Sequence, residues 1–284
     1  MKTRLLFVLI APLLLTGCLL SPGKFASQLL LMKDGSFSYS YKGEIQMLAL
    51  SKLAEMGAKG EDTFTATECY EDNGEDLREC TASEIAAQKA EWEANAGIRR
   101  AKREEEAAQM KMMMGGIDPS SPEAAQEFAD TLARQKGWKS VVHRGDGLFD
   151  VDFSISGQLT HDFTFPTIEK MPVGTSFVTV ILREDGKVRI DASGFAAQGA
   201  GNPMQGMMGG MMGLAQMDAD KNAGEDGAPK LVLPEGTFTI VTNGSILANN
   251  TDEGPAASAA GQVLRWDITP RTERAPTALI DLAS

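Results

Sequence analysis

Phe149-Asp150-Val151-Asp152-Phe153-Ser154-Ile155-Ser156 carries an apolar side chain at every second position and a small or acidic one between. A two-residue period of this kind predicts a strand with one face on a core and the other in water. The same period runs through Ser36-Phe37-Ser38-Tyr39-Ser40-Tyr41, with aromatic rings on one face and serines on the other. Val188, Ile190 and Ala192 alternate, as do Leu264, Trp266 and Ile268, and then Ala278, Ile280 and Leu282. Residues 25–32 read as a strand, Leu159, Phe163 and Phe165 mark another, and Phe238 and Ile240 a further one. Residues 177–182 are apolar at nearly every position, which predicts a central strand covered on both faces.

The punctuation between these segments fits a meander of hairpins. Lys33-Asp34-Gly35 reads as a turn. Asp185-Gly186 and Asn243-Gly244 predict tight hairpin turns whose two central residues both take positive φ. An acidic residue followed by Gly recurs at Asp34-Gly35, Asp146-Gly147, Asp185-Gly186 and Glu235-Gly236, each ahead of a strand-like stretch. Turn chemistry alone generates such a phrase.

A helical segment interrupts the strands. Met47, Leu50, Leu53 and Met56 recur at three-residue steps before Gly57, which predicts a short helix. Thr81-Ala82-Ser83-Glu84 fits a capping box, opening a long helix to about Met114. Its few large apolar residues are Ile85, Trp92 and Ile98, so it is expected to project or to lie lightly on the core. Ser121-Pro122-Glu123 predicts another helix, with Ser as cap, Phe128 and Leu132 buried, and Gly137 as its stop. The fold class is α+β: a mainly antiparallel sheet of hairpins with inserted helices. One domain is expected over residues 25–284, with the helical insert at 47–136 and a Gly- and Met-rich loop at 196–229. A sheet curved around an apolar interior would suit a ligand cavity.

The N-terminus carries an address. Lys2 and Arg4 precede an apolar run from Leu5 to Leu15, too short to span ~30 Å of hydrocarbon comfortably. Basic start, greasy core and small-residue cleavage site predict a secretory signal over residues 1–17. Leu15-Thr16-Gly17-Cys18 resembles the lipobox of bacterial lipoproteins. That resemblance implies cleavage before Cys18, acyl chains on Cys18, and a short lipidated tether at 18–24. Leu19 stands where an Asp would imply inner-membrane retention, so the resemblance favours the periplasmic side of the outer membrane. Loss of residues 1–17 leaves 25 basic against 39 acidic residues. So acidic a body excludes nucleic acid as a partner by charge. Cys69 and Cys80 are then an even pair in an exported chain and read as a disulfide; a metal-thiolate pair would need two further ligands.

Two methionine clusters stand out. Met110, Met112, Met113 and Met114 end the long helix, and Met204, Met207, Met208, Met211, Met212 and Met217 sit in the Gly-rich stretch. Thioether sulfur suits Cu(I). Met also makes an adaptable apolar surface for lipid or a partner, here led by Met207, Met208, Met211 and Met212, and low-complexity disorder is the third reading. Asp218-Ala219-Asp220-Lys221-Asn222 starts like a calcium loop but has Ala223 and Pro229 where that loop needs Gly and Glu. Glu225 and Asp226 could still help to bind a cation weakly, and the acidic stretch around the cystine reads as a solvated face, with a cation site as the alternative. His143 lies in a turn-rich stretch, and His161 shares parity with Leu159 and Phe163, so it is expected to point inward. No nucleophile elbow, phosphate loop or zinc spacing occurs, so no enzyme and no cofactor is predicted.

The body is also similar to the LppM-type exported lipoproteins of mycobacteria. The similarity rests on the lipobox, on Asp34-Gly35-Ser36-Phe37 close behind it, and on Asn243-Gly244 through Trp266-Asp267-Ile268, about a third of the chain. It implies a β-rich domain that binds lipid-like ligands. The helical insert, the cystine loop and the Met clusters have no counterpart in that family, and residues 268–284 are polar where its membrane helix would lie. Taken together, the sequence predicts a non-catalytic, lipid-anchored envelope protein that contacts lipid or an envelope protein through its β-domain and Met-rich loops. The alternative is a periplasmic binder of Cu(I) or, weakly, of divalent cations.

Overall fold

A computed structural model describes residues 20–51, 64–71, 76–171, 176–196 and 232–283. The strands are β1 (Leu20–Leu31), β2 (Ser36–Met47), β3 (Cys69–Tyr70) and β4 (Leu77–Arg78), then β5 (Trp138–Gly145) and β6 (Leu148–Gln158). After them come β7 (Phe163–Phe165), β8 (Val178–Leu182), β9 (Lys187–Asp191), β10 (Glu235–Thr242), β11 (Ser245–Asn249), β12 (Ala256–Ser258), β13 (Gly261–Ile268) and β14 (Thr277–Asp281). Between β4 and β5 lie helices α1 (Ala82–Ala94), α2 (Ala96–Met113) and α3 (Ala124–Ala133). The α+β, mainly β class is as expected. The strands form two large sheets rather than one, ordered β12-β13-β10-β1-β2-β6-β5 and β11-β14-β9-β8-β7.

The two stretches with the clearest alternation are neighbours: β2 and β6 pair antiparallel from Ser36↔Gln158 to Gln46↔Leu148. Tyr39, Tyr41, Phe149, Val151 and Phe153 point to one side of that pair and are buried. They meet aromatic residues of the second sheet. Phe165 lies 5.0 Å from Tyr39, 5.1 Å from Tyr41 and 4.8 Å from Phe153, centroid to centroid. Phe195, on a 3-10 turn after β9, stacks on Phe25 at 4.2 Å. Rings at these separations add about 0.5–1.5 kcal/mol per pair beyond the area they bury. They occupy the space between the layers where a ligand cavity was expected. Under β5 and β6 the second layer is α3, whose Phe128 meets Phe149 edge-on at 5.0 Å.

β1 is a central strand. It pairs antiparallel with β2 and parallel with β10. Its partners at Phe25 are Gly43 and Gly236. A Cβ at Gly43 would lie 2.2 Å from the Lys24 carbonyl oxygen, and one at Gly236 would lie 1.9 Å from that of Phe25. Glu235-Gly236 is therefore a close approach of two backbones, not the turn its sequence suggested. β1 also begins earlier than expected: Leu20 pairs with Met47, so residues 20–24 are strand rather than tether.

Turn chemistry sorts the acid-Gly phrases. At Met32–Ser36 and at Arg183–Lys187 the same loop occurs: Gly35 and Gly186 donate to the carbonyls of Met32 and Arg183 at 2.9 and 3.1 Å. Only the glycine is left-handed, φ +79° and +76°, the three-residue pattern rather than the two-residue turn expected at Asp185-Gly186. The turn with two positive φ values is Asp146-Gly147, φ 51° and 66°. Asn243-Gly244 closes no hairpin, because it passes the chain from β10 in one sheet to β11 in the other. There the Asn243 side-chain oxygen accepts from the Lys33 amide at 2.7 Å. β8 lies next to the end strand β7 and buries only one side, Val178 and Val180. Phe177, just before it, made the run look two-sided.

At the front of the helical insert strand β2 runs through Met47 and a 3-10 turn, Leu48–Leu50, follows, where a helix was expected; Leu53 and Met56 lie outside the described residues. The capping box at Thr81 and Glu84 forms as expected. α1 and α2 make one long helix, interrupted at Asn95, with no buried residue in α1 and Ile98 71% exposed. It projects, as its polar surface requires. α3 starts three residues after Ser121, whose hydroxyl caps a turn by accepting from the Glu123 amide.

Candidate functional site

Cys18 and Met207, Met208, Met211 and Met212 lie outside the described residues, as do Met204, Met217 and the calcium-like stretch from Asp218. The other assignments fall on visible structure. Cys69 and Cys80 form the disulfide, with Cα atoms 5.2 Å apart. It closes the small β3–β4 ladder, which docks on α1. Arg78 makes two bonds to Glu84, 2.6 and 2.9 Å, and Gln88 accepts from the Thr67 amide at 2.9 Å. The Arg78 guanidinium, with Thr81, holds the Glu84 carboxyl far below the usual carboxylate range. Met112 is 79% exposed while Met114 is fully buried, so these two sulfurs do not share a side. His161 is exposed beside Thr160, because its segment precedes β7 and does not continue the strand parity of Leu159. His143 lies on β5 against Phe149, its Nε2 buried without a hydrogen-bond partner. Among the described residues no three His, Cys, Asp or Glu side chains converge as a metal site.

One end of the sandwich gathers the chain entry. Ser21 is buried and donates to the Val232 carbonyl at 3.4 Å, and the Val232 amide donates to the buried Gln46 side chain at 2.9 Å. Lys24 N donates to Glu44 at 2.9 Å. The first residues of β1 are therefore held from both sides, by β2 and by the stretch entering β10. Leu233, next in that stretch, is 44% exposed.

A second feature is a cleft of about 410 Å³ at the far edge of the seven-stranded sheet. Its floor is residues 265–268 of β13. Asn250, Asp252 and Glu253 enter from the β11–β12 connection, and Thr272 and Arg274 from the β13–β14 connection. Asn250 organises it: the side-chain oxygen accepts from Trp266 Nε1 at 3.0 Å and from the Thr277 amide at 2.8 Å, and the amide nitrogen donates to the Ala275 carbonyl at 2.8 Å. Trp266 stacks on Phe238 at 5.6 Å, so the floor is rigid. Arg265 pairs with Asp267 at 2.8 Å. Asp252, Glu253 and Arg274 have no ion-pair partner among the described residues.

The chain matches no protein family, no curated protein and no solved structure. Function is therefore argued from these two places. The sequence reading identified neither. Trp266 was visible only as a core position of an alternating strand, and its partners come from connections with no periodic signal. The one local signal was the turn-forming run Asn249-Asn250-Thr251-Asp252, which marks a loop but not what the loop faces.

Proposed function

We propose that this chain is a non-catalytic lipoprotein of the cell envelope, acylated at Cys18 and held on the periplasmic side of the outer membrane. In this reading its β-domain and Met-rich stretch contact lipid or an envelope protein at the bilayer surface. The observation that carries it is the combination of Leu15-Thr16-Gly17-Cys18 with the start of β1 at Leu20. Two residues span at most ~7 Å. An acyl chain on Cys18 would therefore sit directly against the end of a central strand, with no stalk. Exposed Leu233 and half-buried Ala49 and Leu50 lie at the same end, giving the bilayer an apolar rim to meet.

The test is metabolic labelling of cells that express the full chain with radioactive palmitate. Label should appear on the wild-type protein and be lost in Cys18→Ser, which should shift from the envelope to the soluble fraction. Absence of label, or Cys18→Ser protein that still pellets with envelopes, would overturn the reading. Deletion of residues 199–213 should weaken liposome co-sedimentation; undiminished binding would remove the Met-rich stretch from the contact.

A further inference from the structure

We infer that the cleft beside β13 is a peptide-binding groove, in which an extended segment of another protein bearing a lysine or arginine adds as a strand to the seven-stranded sheet. β12 pairs with β13 only from Gly261 to Val263. Beyond that, no strand among the described residues lies on the outer side of β13 from Leu264 to Ile268. A strand edge presents unpaired N–H and C=O groups, and an incoming extended chain satisfies them.

This edge differs from those of β5 and β11. The β5–β6 register shifts near both ends of β5, and β11 has a shift between Ile246 and Ala248, so both edges are kinked. β13 keeps unbroken register with β10 from Gly236↔Ile268 to Thr242↔Gln262 and is straight enough to template a strand. A cleft runs along it. Five residues of strand span roughly 17 Å, and about 410 Å³ falls in the range of ligand sites. The Asn250 bonds and the Phe238 stack fix Trp266 before any partner arrives, which lowers the ordering cost of binding.

Charge selects the occupant. Arg265 and Asp267 neutralise each other, leaving Asp252 and Glu253 against Arg274. The surplus carboxylate favours a basic side chain in the added strand and disfavours a second copy of a chain whose net charge is −12. The inference does not depend on the lipid anchor: a chain that fails to take up palmitate would leave the groove unchanged.

The test uses the full chain in detergent and an array of acetylated, amidated octapeptides of alternating Thr and Val. Lys, Arg, Glu, Asp or Pro is scanned through the central positions. Lys and Arg peptides should bind, Glu and Asp peptides at least tenfold more weakly, and Pro peptides not at all. Amide exchange should slow at residues 264–268 in the complex. The Asp252→Lys/Glu253→Lys double variant, altered only at exposed loop positions, should bind the Lys peptide at least tenfold more weakly. Four outcomes would overturn the proposal: no peptide binds; protection appears on β5 or β11 instead; charge reversal changes nothing; or the chain alone dimerises with protection at 264–268.

Discussion

Ser27 and Tyr39 permit a prediction in which two substitutions together do less harm than one. Ser27 Oγ lies 2.9 Å from Tyr39 Oη and 3.1 Å from the Ser40 carbonyl oxygen, between β1 and β2, and both residues are at most 4% exposed. Ser27 Oγ donates to both oxygens, a shared proton that satisfies the Tyr39 hydroxyl oxygen. Tyr39→Phe removes one bond and leaves Ser27 satisfied, a loss of about 0.5–1.5 kcal/mol. Ser27→Ala strands the Tyr39 hydroxyl in a dry core and should lose about 1–3 kcal/mol. The double variant leaves no buried hydroxyl without a partner and should lie within ~1 kcal/mol of wild type. Adding Tyr39→Phe to Ser27→Ala should therefore restore ~1–2 kcal/mol, a factor of about 5–30 in the folded to unfolded ratio. Urea unfolding followed by tryptophan fluorescence reads this as a rise in midpoint at constant slope. A double variant no more stable than Ser27→Ala would refute this account of the β1–β2 interface.

Two further outcomes follow from the same core. Burial pushes the phenols of Tyr39 and Tyr41 far above their ordinary value, while exposed Tyr70 is raised by the Glu68 carboxylate that accepts its proton. A folded-state pKa above the unfolded one gives stability that is complete below about pH 10 and lost as pH rises towards the folded values. Only one of the three tyrosines should thus ionise in the native protein, with the other two appearing at 295 nm together with loss of near-ultraviolet dichroism; two ionising while the dichroism persists would contradict the packing. Gly236→Ala puts a methyl on the Phe25 carbonyl at a φ of +156° and should lose about 2–4 kcal/mol in urea unfolding. A loss below ~1 kcal/mol would mean that β1 and β10 can separate there without penalty.

What the sequence made legible was the local period. Strands with one buried face announce themselves because side chains alternate, and β2, β6, β9, β13 and β14 were all visible in this way. Which strand pairs with which is not written in the period. β1 and β10 are more than 200 residues apart, and nothing in either stretch names the other. The apolar run at 177–182 misled because Phe177 is buried from a loop, which mimics a strand covered on both sides. Asn-Gly and Asp-Gly specify a bend, but whether the bend returns the chain to its own sheet depends on what the next strand packs against. The β13 cleft was not legible, because it needs a strand edge and two distant connections together.

The parallel β1–β10 contact bears on how an anchored body would behave. An N-terminal edge strand, paired on one side, could be peeled from its sheet one bond at a time by a pull on the anchor. β1 is paired on both sides along most of its length, from Lys24↔Glu235 to Leu31↔Thr242 on one and from Leu20↔Met47 to Leu31↔Phe37 on the other. A pull along its axis loads both ladders together in shear, so no bond can open before its neighbours. The buried contacts of Ser21, Gln46 and Val232 extend that grip to within three residues of Cys18. In the proposed reading the lipid is thus fixed to the middle of the sheet, and the orientation of the domain on the bilayer is set by the fold rather than by a swivelling linker.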